Sequence, residues 1–260
     1  MKKFLLVFLV FGFSLFGSIE VSEPLLQLLD ATHVQHDGTA ESILQETQKK
    51  WLRPKGKERW QIPDVDEKTK EQILLLADQL GFVSEISPQA KEYEYAAVLG
   101  ATYERMEKRL DYLIQLWNRG IRFKHVVFLT GQRPLDVSIE PISEECKNES
   151  QAARQIWKTS LVPQEMRDLP VTFIEVPMKP DGKRPTTKDT YEAWLARKPA
   201  AGRTLLVSNQ PFCLYQEALA KSFLPKGFQV EVVGAAMEER QNGAVMLDAI
   251  AGWIFYSRNL

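Results

Sequence analysis

The sequence predicts an α/β protein with a Rossmann-like three-layer sandwich, in which about five mostly parallel strands carry helices on both faces. From Tyr95 onward, five short apolar segments alternate with segments of helical periodicity. Such an order requires right-handed crossovers that place helices on both faces of the sheet. Continuous apolar runs such as VVFL and TLLV indicate strands that are buried on both faces. The fold is therefore predicted from element order and burial together.

Three regions are expected along the chain. Residues 1–18 are expected to form a signal peptide, because two lysines precede the apolar run Phe4–Phe16 and small residues follow it. The run is shorter than the roughly 20 apolar residues that span a bilayer, and an uncleaved membrane anchor is the alternative. Residues 19–94 are expected to form a helical lead-in packed on the main domain. Residues 95–260 are expected to form the Rossmann-like domain.

The lead-in has helical periodicity in three places and one break. Helices are expected over Pro24–Asp30, Thr39–Trp51 and Asp66–Leu80, where apolar residues fall on one face. Gly81 is expected to stop the last of these helices. Residues Arg53–Pro63 are rich in proline and charge and predict an irregular connection.

The main domain alternates strands with helices. Each predicted helix presents apolar residues at helical spacing, as Met106, Leu110 and Leu113 do before the stop at Gly120. Strands are expected over Ala96–Leu99, His125–Thr130, Val171–Val176, Thr204–Ser208 and Phe228–Val233. Helices are expected over Thr102–Asn118, Glu149–Thr159, Thr187–Arg197, Pro211–Phe223 and Gly243–Tyr256.

Charge and metal-ligand patterns exclude some partners. Lys and Arg number 33 against 34 Asp and Glu, a formal net charge of −1, which argues against a broad nucleic-acid surface. Membrane contact is expected only through an uncleaved N-terminal segment. His33 and His36 have no nearby third ligand, so no metal site is predicted. Cys146 and Cys213 are either paired, as an oxidising compartment permits, or two unpaired buried residues.

Several common nucleotide and hydrolase motifs are absent from the sequence. The Leu99–Thr102 turn resembles part of a dinucleotide loop, but no G-x-G-x-x-G follows a strand. Neither G-x-x-x-x-G-K-[ST] nor G-x-S-x-G occurs. NAD binding, P-loop nucleotide hydrolysis and a standard α/β-hydrolase are therefore not predicted.

A ligand site is expected at the carboxyl ends of the strands, where open α/β sheets bind ligands. The Leu129–Pro134 segment is the most site-like, because Gly131 permits close backbone approach and an arginine side chain follows. Strand-end and adjacent helix positions complete the predicted set. From the residues alone the ligand-binding set is Gly100, Thr102, Arg109, Thr130, Gly131, Gln132, Arg133, Thr187, Ser208, Asn209 and Gln210.

Three members of this set have structural alternatives. Arg133 either clamps a phosphate or carboxylate or ties its own loop to Asp136 or Glu140. Arg109 either enters the pocket or pairs with a neighbouring carboxylate on a solvated helix face. Thr187 either opens an anion-binding helix end or belongs to an ordinary N-cap.

The order of short motifs resembles the SanA/ElyC/YdcF-like envelope proteins. A VLG strand end precedes a helix that reads R-L-x-x-L-x-x-L-x-x-x-G from Arg109, and a strand ending in Thr-Gly follows. An acidic residue, a Thr-rich helix start and a late strand ending in L-V-S come next. The resemblance covers residues 95–256.

The resemblance implies a Rossmann-like fold behind an N-terminal membrane segment, with roles in envelope integrity and lipid-carrier metabolism. One family member is reported to bind S-adenosylmethionine. The implied pocket adds Glu140 or Glu175 to the strand-end residues. This sequence departs from the family where a His and an Arg usually follow the late strand, since Asn209–Phe212 and Tyr215 stand there. Gln132 replaces a second glycine after the second strand.

We therefore expect an exported protein that binds a small anionic or nucleotide-like ligand at the strand ends. Whether it is an enzyme of the envelope stays open, and no catalytic residue or cofactor is assigned. The alternatives are a non-catalytic secreted or periplasmic binding protein and a transferase that binds S-adenosylmethionine.

The export hypothesis predicts a simple result. Replacing Leu5, Val7 and Leu9 with Asp should retain the protein in the cytoplasm, because charge in the apolar segment opposes membrane insertion. Cell fractionation and immunoblotting measure this. Unchanged export of the triple variant would exclude a signal peptide at this position.

Overall fold

The computed structural model describes residues 21–258, except residues 142, 144, 145 and 239–241. The predicted signal peptide lies outside these residues. In the part of the chain that is described, no helix is long and apolar enough to cross a membrane.

A parallel sheet of five strands forms the centre of the described structure and confirms the predicted Rossmann-like fold. Every neighbouring pair is parallel, in the order β3-β2-β1-β4-β5. The strand order reverses between β1 and β4, so the crevice between their carboxyl ends is the topological switch point. The strands are β1 (Glu92–Leu99), β2 (Arg122–Gly131), β3 (Val171–Val176), β4 (Arg203–Asn209) and β5 (Gln229–Ala235).

Helices lie on both faces of the sheet and in the lead-in. They are α1 (Glu23–Ala31), α2 (Ala40–Lys50), α3 (Glu67–Gln79), α4 (Tyr103–Asn118), α5 (Glu149–Thr159), α6 (Gln164–Arg167), α7 (Thr187–Leu195), α8 (Cys213–Phe223) and α9 (Gly243–Ser257). A short 3-10 turn covers Arg59–Gln61. Gly81 and Gly120 adopt φ values of +83° and +92° after α3 and α4, which explains the predicted helix stops.

The sheet is buried between two apolar layers. Leu113 of α4 and Ile156 of α5 pack with Phe128 on one face. Trp194 of α7 and Leu219 of α8 pack with other strand residues on the opposite face. These are the helix layers on both faces that the continuous apolar strands require.

The first strand begins earlier than the sequence predicted. Glu92, Tyr93 and Glu94 alternate polar and apolar residues and extend β1. The apolar-run criterion misses them because this end of the strand is only half-buried. Glu94 pairs with Lys124 of β2 at 2.8 Å, so the extension lies beside its neighbour strand.

The two cysteines are free and lie in different apolar layers. Cys146 packs with the α4–α5 layer and Cys213 with the α7–α8 layer. The open question of a disulfide is thus answered by unpaired buried thiols. Burial raises the pKa of the Cys213 thiol to about 12, which disfavours its nucleophilic thiolate form.

The lead-in and the last helix share one hydrophobic core. Leu28 of α1, Ile43 of α2 and Ile73 of α3 are fully buried in the same cluster as Ile250 of α9. Helix α9 also packs on α8, which covers the sheet. The lead-in is therefore joined to the sheet layers through α9.

Shortening one side chain of this shared core should destabilise the whole protein. Ile250→Ala should lower the free energy of unfolding by about 2–5 kcal/mol, because it opens a cavity at a fully buried position. Urea denaturation followed by circular dichroism measures the change. Leu161→Ala is the control, since Leu161 is 95% exposed. If Ile250→Ala instead produced a separate unfolding transition at lower urea and left the midpoint of the main transition unchanged, the lead-in would unfold separately from the sheet.

Candidate functional site

A cavity of about 180 Å³ lies at the carboxyl ends of β1 and β2. Gly100 directly follows β1 and Gly131 ends β2, and both line the cavity together with the N-terminal parts of α4, α7 and α8. The segment before α3 closes another side through Trp60. The cavity therefore occupies the position that open α/β sheets use for ligands.

Among the described residues, six arginine side chains line this cavity and make it cationic. They come from the lead-in, from α4 and from the loops after β2 and before α7. They are Arg53, Arg59, Arg105, Arg109, Arg133 and Arg184.

Four of these arginines pair with carboxylates, and the first is Arg133, which pairs with Glu140 and Glu149. Arg53 and Arg59 share Asp248 of α9, at 3.7 and 2.8 Å. Arg184 pairs with Glu58 at 3.0 Å. Because one buried carboxylate serves two guanidinium groups, the lead-in side of the cavity keeps excess positive charge.

The remaining two arginines of the cavity, Arg105 and Arg109, come from α4, and no carboxylate among the described residues pairs with them. Among the described residues, Arg105 forms no ion pair and Arg109 contacts only neutral acceptors. Arg109 donates to Asn209 Oδ1 at 2.9 Å and to the carbonyl oxygens of Leu99 and Gly100 at 2.7 and 2.9 Å. Arg109 is only 4% exposed. The helix therefore places poorly compensated charge at the cavity wall.

The pKa shifts of these arginines reflect this imbalance. Burial, with a smaller contribution from the charge of Arg105, lowers the pKa of Arg109 to about 10. Burial and then the charge of Arg59 lower the pKa of Arg105, and the charges of Glu104 and Glu238 oppose this shift without cancelling it. In contrast, burial is outweighed at Arg133 by hydrogen bonds and charges from Glu140 and Glu149, so its pKa is raised. An anionic ligand would stabilise the first two cations as carboxylates stabilise Arg133.

An aromatic ring orients two of the cations. The guanidinium carbons of Arg59 and Arg105 lie 4.6 and 5.3 Å from the centroid of Phe212. Phe212 is 2% exposed at the start of α8. Cation–π contacts of this kind fix the position of a guanidinium without neutralising its charge.

Arg133 belongs to the framework of the cavity. It binds Glu140 in bidentate fashion at 2.8 and 2.9 Å, and its Nε lies 3.3 Å from Glu149. It also donates to the carbonyl oxygens of Ala101 and Pro134. Of the two roles considered for Arg133, the structure has the pairing with Glu140.

Glu140 joins the loop after β2 to the first turn of α4. Its carboxylate accepts hydrogen bonds from the backbone N–H groups of Tyr103 and Asp136, both at 2.9 Å. Burial opposes its ionised form, but the hydrogen bonds from Arg133 and these amides outweigh burial and lower its pKa. Glu140 is therefore a buried anion that positions the loop and the helix.

Glu149 places a carboxyl group in the cavity wall at the start of α5. Its Oε1 accepts from the Gly131 N–H at 3.0 Å. A Cβ atom at Gly100 would lie 2.2 Å from Oε1, so the bare backbone there makes room for the carboxyl group. Burial is the main reason that its pKa is raised, and the charges of Arg133 and Arg184 oppose the shift. A buried carboxyl with a raised pKa in a cleft is a candidate proton-transfer group.

The predicted site residues divide into four groups. The cavity is lined by Gly100, Thr102, Arg109, Gly131, Arg133 and Thr187. Thr130 and Glu140 are buried beside it and are hydrogen-bonded within the protein. Gln132 is exposed outside it, and its N–H bonds to the Val176 carbonyl. Ser208, Asn209 and Gln210 line a neighbouring cavity of about 180 Å³ between α4 and the carboxyl ends of β4 and β5.

Sequence reasoning missed much of the cationic wall. Arg53 and Arg59 lie in the irregular lead-in connection, where no periodicity relates them to the sheet. Arg184 precedes the predicted helix at Thr187, and Glu149 begins a predicted helix after β2. The rule that helix starts meet at the carboxyl edge of the sheet could have selected these last two.

The all-parallel sheet and the cavity at its edge define a Rossmann-like α/β protein with an arginine-lined site. No protein-family model matches the chain. It is similar to uncharacterised proteins of Mycobacterium bovis and Mycobacterium tuberculosis, at 29% identity over 231 residues. The match covers 74% of this chain and 64% of the length of each relative. Their names state no activity.

The framework role of Glu140 predicts a pH-dependent loss of stability on substitution. Glu140→Gln should lower the free energy of unfolding at pH 7 by about 3 kcal/mol, because it breaks a buried ion pair. The lowered pKa of Glu140 means that its contribution is present above its ordinary value of 4.5 and is lost as pH falls through the folded-state pKa. Urea denaturation at pH 7 and at successively lower pH should show the two proteins converging. A constant difference across this range would contradict the ionised pair.

Proposed function

We propose that the protein binds a small dianionic ligand of the phosphate monoester type in the arginine-lined cavity. The observation that carries this proposal is the excess of guanidinium groups over carboxylates around a small, partly buried cavity. The six arginines face Asp248, Glu58, Glu140 and Glu149, and one of these carboxyl groups has a raised pKa. A ligand with two negative charges would balance the remaining cations.

Energetics supports an anion at this place. Buried charges without partners are costly, and proteins normally pair them or shift their pKa. Arg105 and Arg109 show the second response, since burial lowers both pKa values. Arg109 also has Nη2 free of hydrogen bonds within the described residues, while Nε and Nη1 are used. Guanidinium groups bind phosphate through short charge-assisted hydrogen bonds, which would compensate both side chains.

The neighbouring groove defines where the rest of the ligand lies. A groove of about 1060 Å³ adjoins the cavity and shares Arg53, Arg59, Arg184 and Tyr215 with it. We place the phosphate in the small cavity and the organic group of the ester toward this groove. A free inorganic phosphate would occupy the cavity alone.

The proposal also retains the expected export and the resemblance to the SanA/ElyC/YdcF-like proteins. Export and the resemblance are both predictions from sequence motifs. Cell fractionation of the Leu5, Val7 and Leu9 triple variant tests the predicted export. The cationic cavity favours an anionic ligand over the sulfonium group of S-adenosylmethionine, so transferase activity with that cofactor is not the preferred alternative. A non-catalytic binding protein remains compatible with the same phosphate site.

Arg105 offers the sharpest test of anion binding. Arg105→Gln should weaken the binding of inorganic phosphate by about ten- to a hundredfold, since charged hydrogen bonds contribute roughly 1.5–3 kcal/mol. Its stability should change little, because Arg105 forms no ion pair among the described residues. Isothermal titration calorimetry and thermal unfolding with and without phosphate measure the two effects.

The matched control is Arg119→Gln at the other end of α4. Arg119 is exposed and pairs with Glu85, away from the cavity. Phosphate should bind this variant as it binds the unmodified protein. Absence of phosphate binding by the unmodified protein, or equal weakening by both substitutions, would contradict the proposed site.

A further inference from the structure

We propose that the cavity hydrolyses phosphate monoesters and that Glu149 is the general acid that protonates the leaving oxygen. This inference rests on the proposed phosphate site and adds a reaction to it.

A carboxyl group is unexpected in a wall that binds an anion. An ionised Glu149 would repel a phosphate ester, whereas a protonated Glu149 would donate a hydrogen bond to it. Glu149 is not required to neutralise Arg133, because Glu140 already binds that guanidinium in bidentate fashion at 2.8 and 2.9 Å. The carboxyl group therefore has a role that charge balance within the protein does not explain.

The carboxyl group is held in place but keeps hydrogen-bonding capacity. Its Oε1 accepts one backbone bond from Gly131, and its Oε2 has only the 3.3 Å contact with Arg133 Nε. Its side chain is 12% exposed and lines the cavity. Oε2 can therefore carry a proton toward a ligand while Oε1 stays fixed.

Charged groups from several elements set the protonation of Glu149. Arg133 in the loop after β2 and Arg184 before α7 favour its ionised form. Glu149 also interacts with the positive charge of Arg109 on α4. Burial outweighs these cations and raises the pKa, and a bound phosphate dianion would raise it further. The acid form is thus favoured when the ester is bound.

The reaction balances with water as the second reactant. Water oxygen forms a bond to phosphorus as the bond between phosphorus and the ester oxygen breaks. The Glu149 proton passes to the ester oxygen, which leaves as the alcohol. The attacking water loses a proton to a phosphate oxygen, and the resulting dihydrogen phosphate returns one proton to Glu149. Arg105 and Arg109 would stabilise the charge on the non-bridging oxygens.

The test compares esters whose leaving groups differ in acidity. Phenol is a weaker acid than p-nitrophenol, so phenyl phosphate depends more on protonation of the leaving oxygen. Glu149→Gln should lower kcat/KM for phenyl phosphate by about a hundredfold or more. For p-nitrophenyl phosphate the loss should be less than about tenfold, since that leaving group needs little proton transfer. Phosphate release from the full chain measures both rates.

Glu67→Gln is the matched control, because Glu67 occupies the first turn of α3 as Glu149 occupies that of α5. It should leave both rates unchanged. Glu149→Gln keeps an acceptor for the Gly131 N–H, so it should fold and bind inorganic phosphate at least as well as the unmodified protein. Equal loss with both esters, or loss of phosphate binding, would assign Glu149 a structural role and overturn the inference.

The unmodified protein gives an independent readout if the variant does not fold. Its rate with phenyl phosphate should fall as pH rises through the pKa of Glu149, while the rate with p-nitrophenyl phosphate falls less. A common pH profile for both esters would overturn the role of Glu149. Phosphate binding without hydrolysis of either ester between pH 4 and 9 would overturn the activity but leave the binding proposal intact. Absence of phosphate binding would instead remove the binding proposal itself.

Discussion

The buried contacts of Arg133 hold together the strand ends on which the site is built. Its guanidinium joins Glu140, Glu149 and the carbonyl oxygen of Ala101 within one network. These partners belong to the loop after β2, the start of α5 and the turn after β1. Because removing one partner of a buried ion pair leaves an uncompensated charge, the network resists local rearrangement. The positions of Gly100 and Gly131 at the cavity depend on it.

The lead-in contributes to the site through charge as well as through packing. Asp248 of α9 is 3% exposed and accepts from the Arg53 backbone N–H at 3.0 Å and from Arg59 Nε at 2.8 Å. These contacts hold an irregular segment against α9 without regular secondary structure. They also share one negative charge between two arginines. The same arrangement therefore closes the cavity and makes it cationic.

The cavity contains two kinds of arginine. Their environments distinguish arginines that hold the protein framework together from arginines that are available to contact a ligand. Arg133 is saturated by carboxylates, and its pKa is raised. Arg109 is as deeply buried but contacts neutral acceptors, and its pKa is lowered. Only the second kind gains from a bound anion. Glu149 contacts Arg133 and interacts with the charge of Arg109, so its proton is central to the proposed chemistry.

The sequence by itself determined the parallel Rossmann-like sheet, since apolar strands and amphipathic helices report burial through local periodicity. It also predicted a site at the carboxyl edge of the sheet, so Gly100, Arg109 and Gly131 were predicted at the cavity, whereas the predicted Ser208, Asn209 and Gln210 line the neighbouring cavity. Glu149 could also have been predicted, because the first residues of helices that follow parallel strands lie at the same carboxyl edge of the sheet. Only the tertiary structure decided that Arg53 and Arg59 join them and that Arg133 is neutralised by Glu140. Those outcomes depend on pairing between segments that are distant along the chain, and side-chain pairing leaves no periodic signal in a single sequence.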